Sequence, residues 1–440
     1  MYYVIEVSFI NRDLHKILEN AKWTSIHSWA FISFSAGMAL EAYIFGMSSI
    51  ATNWVPVPKI LESLLLSWAP LWLIIGIIVT GPLSDRLGRK RMFYLTMSLY
   101  AIGAIGIAFS YTYYLILLFL AMLLFAAGGE MNTIMVMSHE IMPRKHRSKA
   151  MFFEINFINF GGLLLAAVAL SSAYSSTVFQ RFMIGITAII IAVILAYARQ
   201  KIPESIRWLE DKGDITRAEE EIKKYFSQVE TEEPRQINDD PIKDPKKLPP
   251  ISLRLAVTTI IAAANTIGFG LMTYVLGPYF FPKLTAIILL VANSAEFLAG
   301  LGISPFADSI SRKLTLLISL AGVVASTAAI YFTISLWTTN LILFWILLVI
   351  LNVFTSINYL TEDTLKAEIW PTVKRGTYTA IVRFISIGAY IPTIFLTSGL
   401  SIYQYILFNL IVWTSGLIAA VVWFVKGIET GKGKSLSEIS

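Results

Sequence analysis

Long apolar runs separated by short polar turns dominate the pattern along the 440 residues. Stretches of roughly 20 apolar residues, the length a helix needs to cross about 30 Å of hydrocarbon, recur at about 24–50, 63–82, 92–110, 114–138, 150–173, 181–199, 253–276, 284–306, 314–336, 340–362, 377–399 and 402–425. The runs are continuous and do not alternate with a period of two, so they predict helices and exclude a transmembrane barrel. Six spans precede a polar stretch at about 200–250 and six follow it. The expected fold is an all-α membrane protein of twelve transmembrane helices in two bundles. Residues 1–199 form the first bundle, 200–250 a cytoplasmic linker with short helices, and 251–440 the second bundle.

The polar turns are written twice. GPLSDRLGRKR at Gly81–Arg91 is echoed by SPFADSISRKL at Ser304–Leu314, and EIMPRKHR at Glu140–Arg147 by EIWPTVKR at Glu368–Arg375. Asp85 to Asp308 is a shift of 223 residues, while Glu140 to Glu368 and Arg147 to Arg375 are each 228, so one small insertion separates two colinear halves. Two parallel repeats in a membrane chain are the construction of a secondary transporter.

Charge sets the expected orientation. Lys and Arg crowd the turns after spans 2, 4, 8 and 10, whereas the turns after odd-numbered spans hold almost none. Positive charge marks the cytoplasmic side, which puts both termini, the basic turns and the linker inside. The formal charge of +6 is thus a topology signal, and no nucleic-acid partner is expected. With 56% hydrophobic and 15% charged residues, the chain has too much apolar surface for one water-soluble core, so the lipid bilayer is its first partner. A multi-pass plasma-membrane protein follows.

Several chemistries are excluded. Zero Cys removes disulfides, thiolate metal sites and cysteine nucleophiles, and the four His have no spacing that suits a metal. No GxxxxGK[ST] loop is present, so direct ATP drive is unsupported. No cofactor and no enzymatic activity are expected. Charges scattered through residues 1–22 break up any signal-peptide core and suggest a short amphipathic helix at the inner surface. Pro203–Phe226 opens with a turn and continues as a charged helix, and the Pro- and charge-rich stretch beyond it reads as a flexible link between the halves.

At the basic turns the physics suggests gates. In each half an acid, Asp85 or Asp308, ends an even-numbered span, basic residues follow within a turn, and a Glu and Arg seven apart close the next hairpin. Opposite charges at helix ends can lock neighbouring helices, so Arg86, Arg89, Glu140 and Arg147, with Arg312, Glu368 and Arg375, are expected to latch the inner side while the halves rock. The alternative is that these charges only fix topology and cap helices.

These motifs, in this order, resemble the major facilitator superfamily over nearly the whole chain. GPLSDRLGRKR resembles its loop 2–3 signature, and PESIRWL after span 6 resembles the sugar-porter signature, which implies that Glu204 and Arg207 join the gate. EIMP and EIWP with their arginines resemble the paired span 4–5 and 10–11 motifs of the same branch. The substrate-facing stretches depart from sugar porters: TTIIAAANTIG in span 7 retains Asn265 without the glutamine pair, and SINYLTED in span 10 has no Trp. SAGMALEAYIFG in span 1 is similar instead to metabolite:proton symporters and organic-ion transporters, which place an acidic residue followed by Tyr there.

Ionisable residues inside spans are expensive and need a reason. Glu41 lies in the outer half of span 1, roughly 25 Å along a helix that rises 1.5 Å per residue, and suits a carboxyl that carries a proton; a structural hydrogen bond is the alternative. Glu130 in span 4 is a second protonatable group, a substrate ligand or a structural partner, with Asn358 at the matching place in the second half. Glu296 in span 8 faces a cavity or pairs with Asn156 or Asn159. Glu154 and Arg383 read as part of the gate network with Glu362 and Asp363, and Arg383 alternatively as a ligand for a substrate carboxylate. Asn132, Asn265, Tyr274, Asn358 and Tyr359 supply directional hydrogen bonds to a small polar substrate. The expected function is proton-coupled symport of a small polar metabolite, a sugar or an organic acid, by a monomer. Organic-ion or drug antiport and a transporter-like receptor are the alternatives, the short stretch Gly427–Ser440 after the last span weighing against the receptor.

Overall fold

A computed structural model describes residues 22–143, 146–172, 176–205, 208–209, 212–226, 249–307, 309–370 and 375–430. The expected helix at residues 1–22 and the link at 227–248 fall essentially outside the described residues, as do Arg207 and Asp308 and the side chains of Asp85, Arg89, Asn132, Glu140 and Arg375.

Among the described residues twelve helices are long and apolar enough to cross a membrane. The first six are Ser25–Ala51, Lys59–Leu87, Arg89–Ala108, Tyr113–Ile141, Arg147–Ser172 and Thr177–Arg199. The second six are Ile251–Phe280, Thr285–Ile303, Arg312–Phe332, Leu341–Glu368, Arg375–Thr397 and Ile402–Lys426. Between the sets a short helix, Ile215–Phe226, lays Ala218 and Tyr225 against Leu209 and Trp208.

The duplication governs the packing. In the first half span 1 packs on spans 4, 5 and 6, span 4 on spans 2 and 3, and span 3 on span 6. Each pair recurs in the second half, where span 7 packs on 10, 11 and 12, span 10 on 8 and 9, and span 9 on 12. The two most extensive contacts between the halves, span 5 with span 8 and span 2 with span 11, exchange under the same correspondence. Each half centres on its own apolar core, one around Tyr43, Leu120 and Leu195 and one around Leu320, Trp337 and Trp413, and Tyr274, Leu289 and Leu66 cross into the core of the opposite half. Lipid supplies the rest of the burial, which is why Val193, Leu298, Ile411 and Val425 lie exposed on the outer faces.

Two glycines hold positions that other residues cannot. Gly88 turns the chain from span 2 into span 3 at φ 96°, in the left-handed region, with Trp208 packed over it. Gly161 in span 5 lets the backbone of span 1 approach so closely that a Cβ there would collide with the Ala39 carbonyl. In span 7 the ladder widens into a π-turn at Leu271–Val275. Such a turn misaligns the ladder and frees a carbonyl, and Ser49 of span 1 donates to the Tyr274 carbonyl at 2.8 Å.

Gly161→Ala is expected to destabilise the protein by about 1–3 kcal/mol through overpacking against backbone. Gly302→Ala, with nothing within 4 Å of the new carbon, is expected to leave the melting temperature in detergent unchanged. Equal melting temperatures for the two variants contradict the packing of spans 1 and 5.

Candidate functional site

A cavity of about 130 Å³ lies between the halves. Its walls come from spans 1, 2, 4 and 5 and from their counterparts 7, 8, 10 and 11, whereas spans 3, 6, 9 and 12 contribute nothing. The same symmetry that packs the helices therefore selects which of them see the cavity.

Six ionisable side chains reach it, and all are buried: Glu41, Glu296, Glu362, Asp363, Lys366 and Arg383. Four form a cluster in the second half. Lys366 Nζ lies 3.1 Å from Glu362 and 2.7 Å from Asp363, its neighbours one turn back on span 10. Arg383 of span 11 donates from Nη2 to both oxygens of Asp363 at 3.2 Å. Two cations and two carboxylates make this cluster neutral, which is how charge persists in a low-dielectric interior. Glu41 and Glu296 are different. Among the described residues neither has a cation at ion-pair distance, and Glu41 Oε2 makes no hydrogen bond.

Of the residues expected to bind substrate, the structure brings Asn265, Tyr274, Tyr359 and Arg383 to the cavity with Glu41. Asn265 is 2% exposed and neither side-chain atom has a partner. Phe45 and Phe269 stand edge-on to the Tyr274 ring at 5.0 and 5.5 Å. Asn358 is buried with its amide unpartnered, but it does not line the cavity.

Glu130 also lies elsewhere. Its carboxylate accepts from Thr96 at 2.6 Å and from Arg199 at 3.0 Å, inside the first bundle between spans 3, 4 and 6. The Arg199 guanidinium lies over the rings of Phe34 and Phe93 at 5.3 and 5.0 Å. That is a closed structural ion pair rather than a cavity ligand. Glu154 likewise is held off the cavity by Ser138, which donates to it at 2.6 Å. Glu296 does not pair with span 5: Asn156 donates to the Phe297 carbonyl at 3.0 Å and accepts from Asn159 at 3.1 Å.

Lys366 escaped the sequence reading, as did Glu362 and Asp363 as cavity residues. The apolar run of span 10 ends at about 362, but the helix continues to Glu368. The signal was the spacing E-D-x-x-K, which sets a cation within reach of two acids on one face.

At the basic end the second half is tied together by Arg312, whose Nη2 lies 3.4 Å from Glu368 and whose Nη1 donates to the Ala307 carbonyl at 2.6 Å. Glu429, which sequence reasoning missed, accepts from Ser311 and, at 2.8 Å, from the Arg312 amide at the start of span 9. Its counterpart is Glu204, which accepts from the Lys90 amide at the start of span 3 at 3.1 Å. A carboxylate at a helix N-terminus satisfies free amides and the positive end of the dipole. The 225-residue offset from Glu204 to Glu429 was the available signal. Arg147 donates to the Met142 carbonyl at 3.2 Å, and Arg86 is exposed. Arg312 also lies over Phe152 of the first half at 5.3 Å, so this end carries a contact between the bundles.

A profile of the Major Facilitator Superfamily matches residues 24–386. The chain is 26% identical over 445 residues to the glucose transporter GlcP of Staphylococcus epidermidis, covering 93% of this chain and 95% of the relative. It is also 26% identical over 200 residues to the niacin transporter NiaP of Acinetobacter baylyi, covering 45% of this chain and 43% of the relative. Among solved structures, the proton:xylose symporter XylE of E. coli superposes with a TM-score of 0.70 at 19% identity, over 94% of this chain and 98% of that one.

Arg199→Met alone is expected to cost about 3–5 kcal/mol, because it strands a buried carboxylate. The double variant Glu130→Gln with Arg199→Met should recover most of that loss in thermal melting. If the two effects simply add, the pair is not closed.

Proposed function

The chain belongs to the Major Facilitator Superfamily, whose members are transporters and not enzymes, and from that premise we propose proton-coupled symport of a small polar metabolite, a sugar or an organic acid. The observation that carries this reading is Glu41: a buried carboxyl in the wall of the central cavity, without a cation, on the half opposite the neutral cluster. A carboxylate in that position is costly until a proton or a ligand neutralises it. The proton therefore loads where the substrate binds, and neutralising Glu41 removes the charge that opposes closure of the halves. The relatives support the substrate range, since GlcP is named for glucose, NiaP for niacin and XylE for xylose with protons.

Movement is a rocker-switch exchange of the two bundles around the cavity, in keeping with their repeated packing. The basic end is the cytoplasmic side, and its charges form the inner gate: Asp85, Arg86, Arg89, Glu140, Arg147, Glu204 and Arg207 in the first half, Asp308, Arg312, Glu368 and Arg375 in the second. Organic-ion or drug antiport is the second reading, favoured by Glu296 as another carboxyl without a cation. Symport and antiport demand opposite proton gradients for accumulation, so one vesicle experiment separates them.

In proteoliposomes an inward proton gradient is expected to drive substrate accumulation that a protonophore abolishes. Glu41→Gln should lose at least about tenfold of it while retaining exchange of labelled for unlabelled substrate, because only the protonation step is removed. Full gradient-driven accumulation by Glu41→Gln excludes this carboxyl as the proton carrier.

The gate is tested separately, aided by the absence of native cysteine. With Ser356→Cys as the single cavity label, Glu368→Gln is expected to raise the rate of maleimide labelling from the cytoplasmic side by about threefold or more, a shift in the population of the inward-open state. An unchanged rate removes Glu368 from the gate.

A further inference from the structure

Resting on the symport reading, we propose that the substrate is a small organic carboxylate whose anionic head is held by Arg383. Arg383 is 7% exposed and lines the cavity. Only its Nη2 is engaged, by Asp363. Among the described residues Nε and Nη1 have no protein acceptor, and neither belongs to the sealed atoms that lack one. Three of the guanidinium's five N–H donors are therefore without a protein acceptor among the described residues, on a side chain that lines the cavity. Buried donors of a charged group are costly when unfilled, and a planar fork matches a carboxylate better than it matches a sugar hydroxyl.

Charge balance points the same way. Glu362 and Asp363 are already balanced by Lys366 and Arg383, so among the described residues an entering anion meets only Glu41 and Glu296 as further acids, with Tyr274, Tyr359 and Tyr390 as the remaining titratable groups on the wall. An ionised Glu41 repels that anion and competes for the free donors of Arg383. A protonated Glu41 does neither. The proton and the anion thus favour each other's binding, and for a monocarboxylate with one proton the loaded cavity gains no net charge. Phe45, Phe269 and Tyr274 offer an apolar wall for the body of the acid.

The experiment is uptake into proteoliposomes under an inward proton gradient, corrected for protein-free liposomes, with acids paired to their amides. Labelled nicotinate and lactate are compared with nicotinamide and lactamide, and with glucose, xylose and tetraethylammonium. Expected is protonophore-sensitive accumulation of at least one acid, its amide reaching less than about a tenth of that level. Arg383→Lys keeps the charge and loses the fork, and is expected to raise KM for the acid about tenfold with little change in kcat. Its melting temperature and gel-filtration profile establish that it is folded, and in detergent the acid should raise the melting temperature of the wild type but not of Arg383→Lys. Accumulation of glucose, xylose or tetraethylammonium with both acids left outside overturns the carboxylate inference and leaves the transporter reading intact. Acid uptake that ignores the proton gradient overturns the symport reading and, with it, the paired binding of proton and anion. No accumulation of any compound overturns both.

Discussion

Charge placed inside hydrocarbon must be neutralised, and the interior of this protein is arranged around that requirement. Three solutions coexist within one bundle thickness. Glu130 and Arg199 neutralise each other in a closed pair. Glu362, Asp363, Lys366 and Arg383 form a neutral cluster that faces the cavity. Glu41 and Glu296 have no cation at ion-pair distance among the described residues, so a proton or a ligand can complete them. The first solution is structural, the second holds a polar wall in place, and the third makes the cavity responsive to what enters it.

The duplication explains why these solutions sit where they do. The main helix pairs within one half have counterparts in the other, and the same four positions of each half line the cavity. Shape is therefore symmetric, but chemistry is not. Ser138 of span 4 corresponds to Lys366 of span 10 under the 228-residue shift, and Ile155 of span 5 to Arg383 of span 11. The first half keeps a Ser138–Glu154 hydrogen bond where the second half has ion pairs. A repeated scaffold lets the halves move as equals while one of them carries the fixed charges.

Most of the fold was legible because membrane helices leave a strong signal: continuous apolar runs, basic turns and repeated motifs all survive in the order of residues. Glu41, Asn265, Tyr274, Tyr359 and Arg383 were legible as polar exceptions within those runs. Partners were less so. For Glu130 the sequence leaves a cavity role and a structural one open, because Arg199 sits at the end of span 6, some 69 residues away, and no periodicity links the two. Lys366 was lost to a boundary, since apolarity fades at Glu362 although helical hydrogen bonding does not. Glu429 was missed because one acid in a polar tail carries no pattern until its twin, Glu204, is seen capping the matching helix.

The basic end and the cavity meet on span 10. Lys366 belongs to the charge cluster and Glu368, two residues on, holds Arg312 and accepts from Thr430. Residues two apart on a helix face different sides, so one turn presents a cation to the cavity and a carboxylate to the ties at the basic end. Helical hydrogen bonds make that turn stiff. Any rotation of span 10 that shifts Asp363 away from Arg383 of span 11 must also displace Glu368 from Arg312, and Arg312 is the side chain that reaches across to Phe152 of the other half. The charges that line the cavity and the contact that joins the halves are thus fixed to one rigid element.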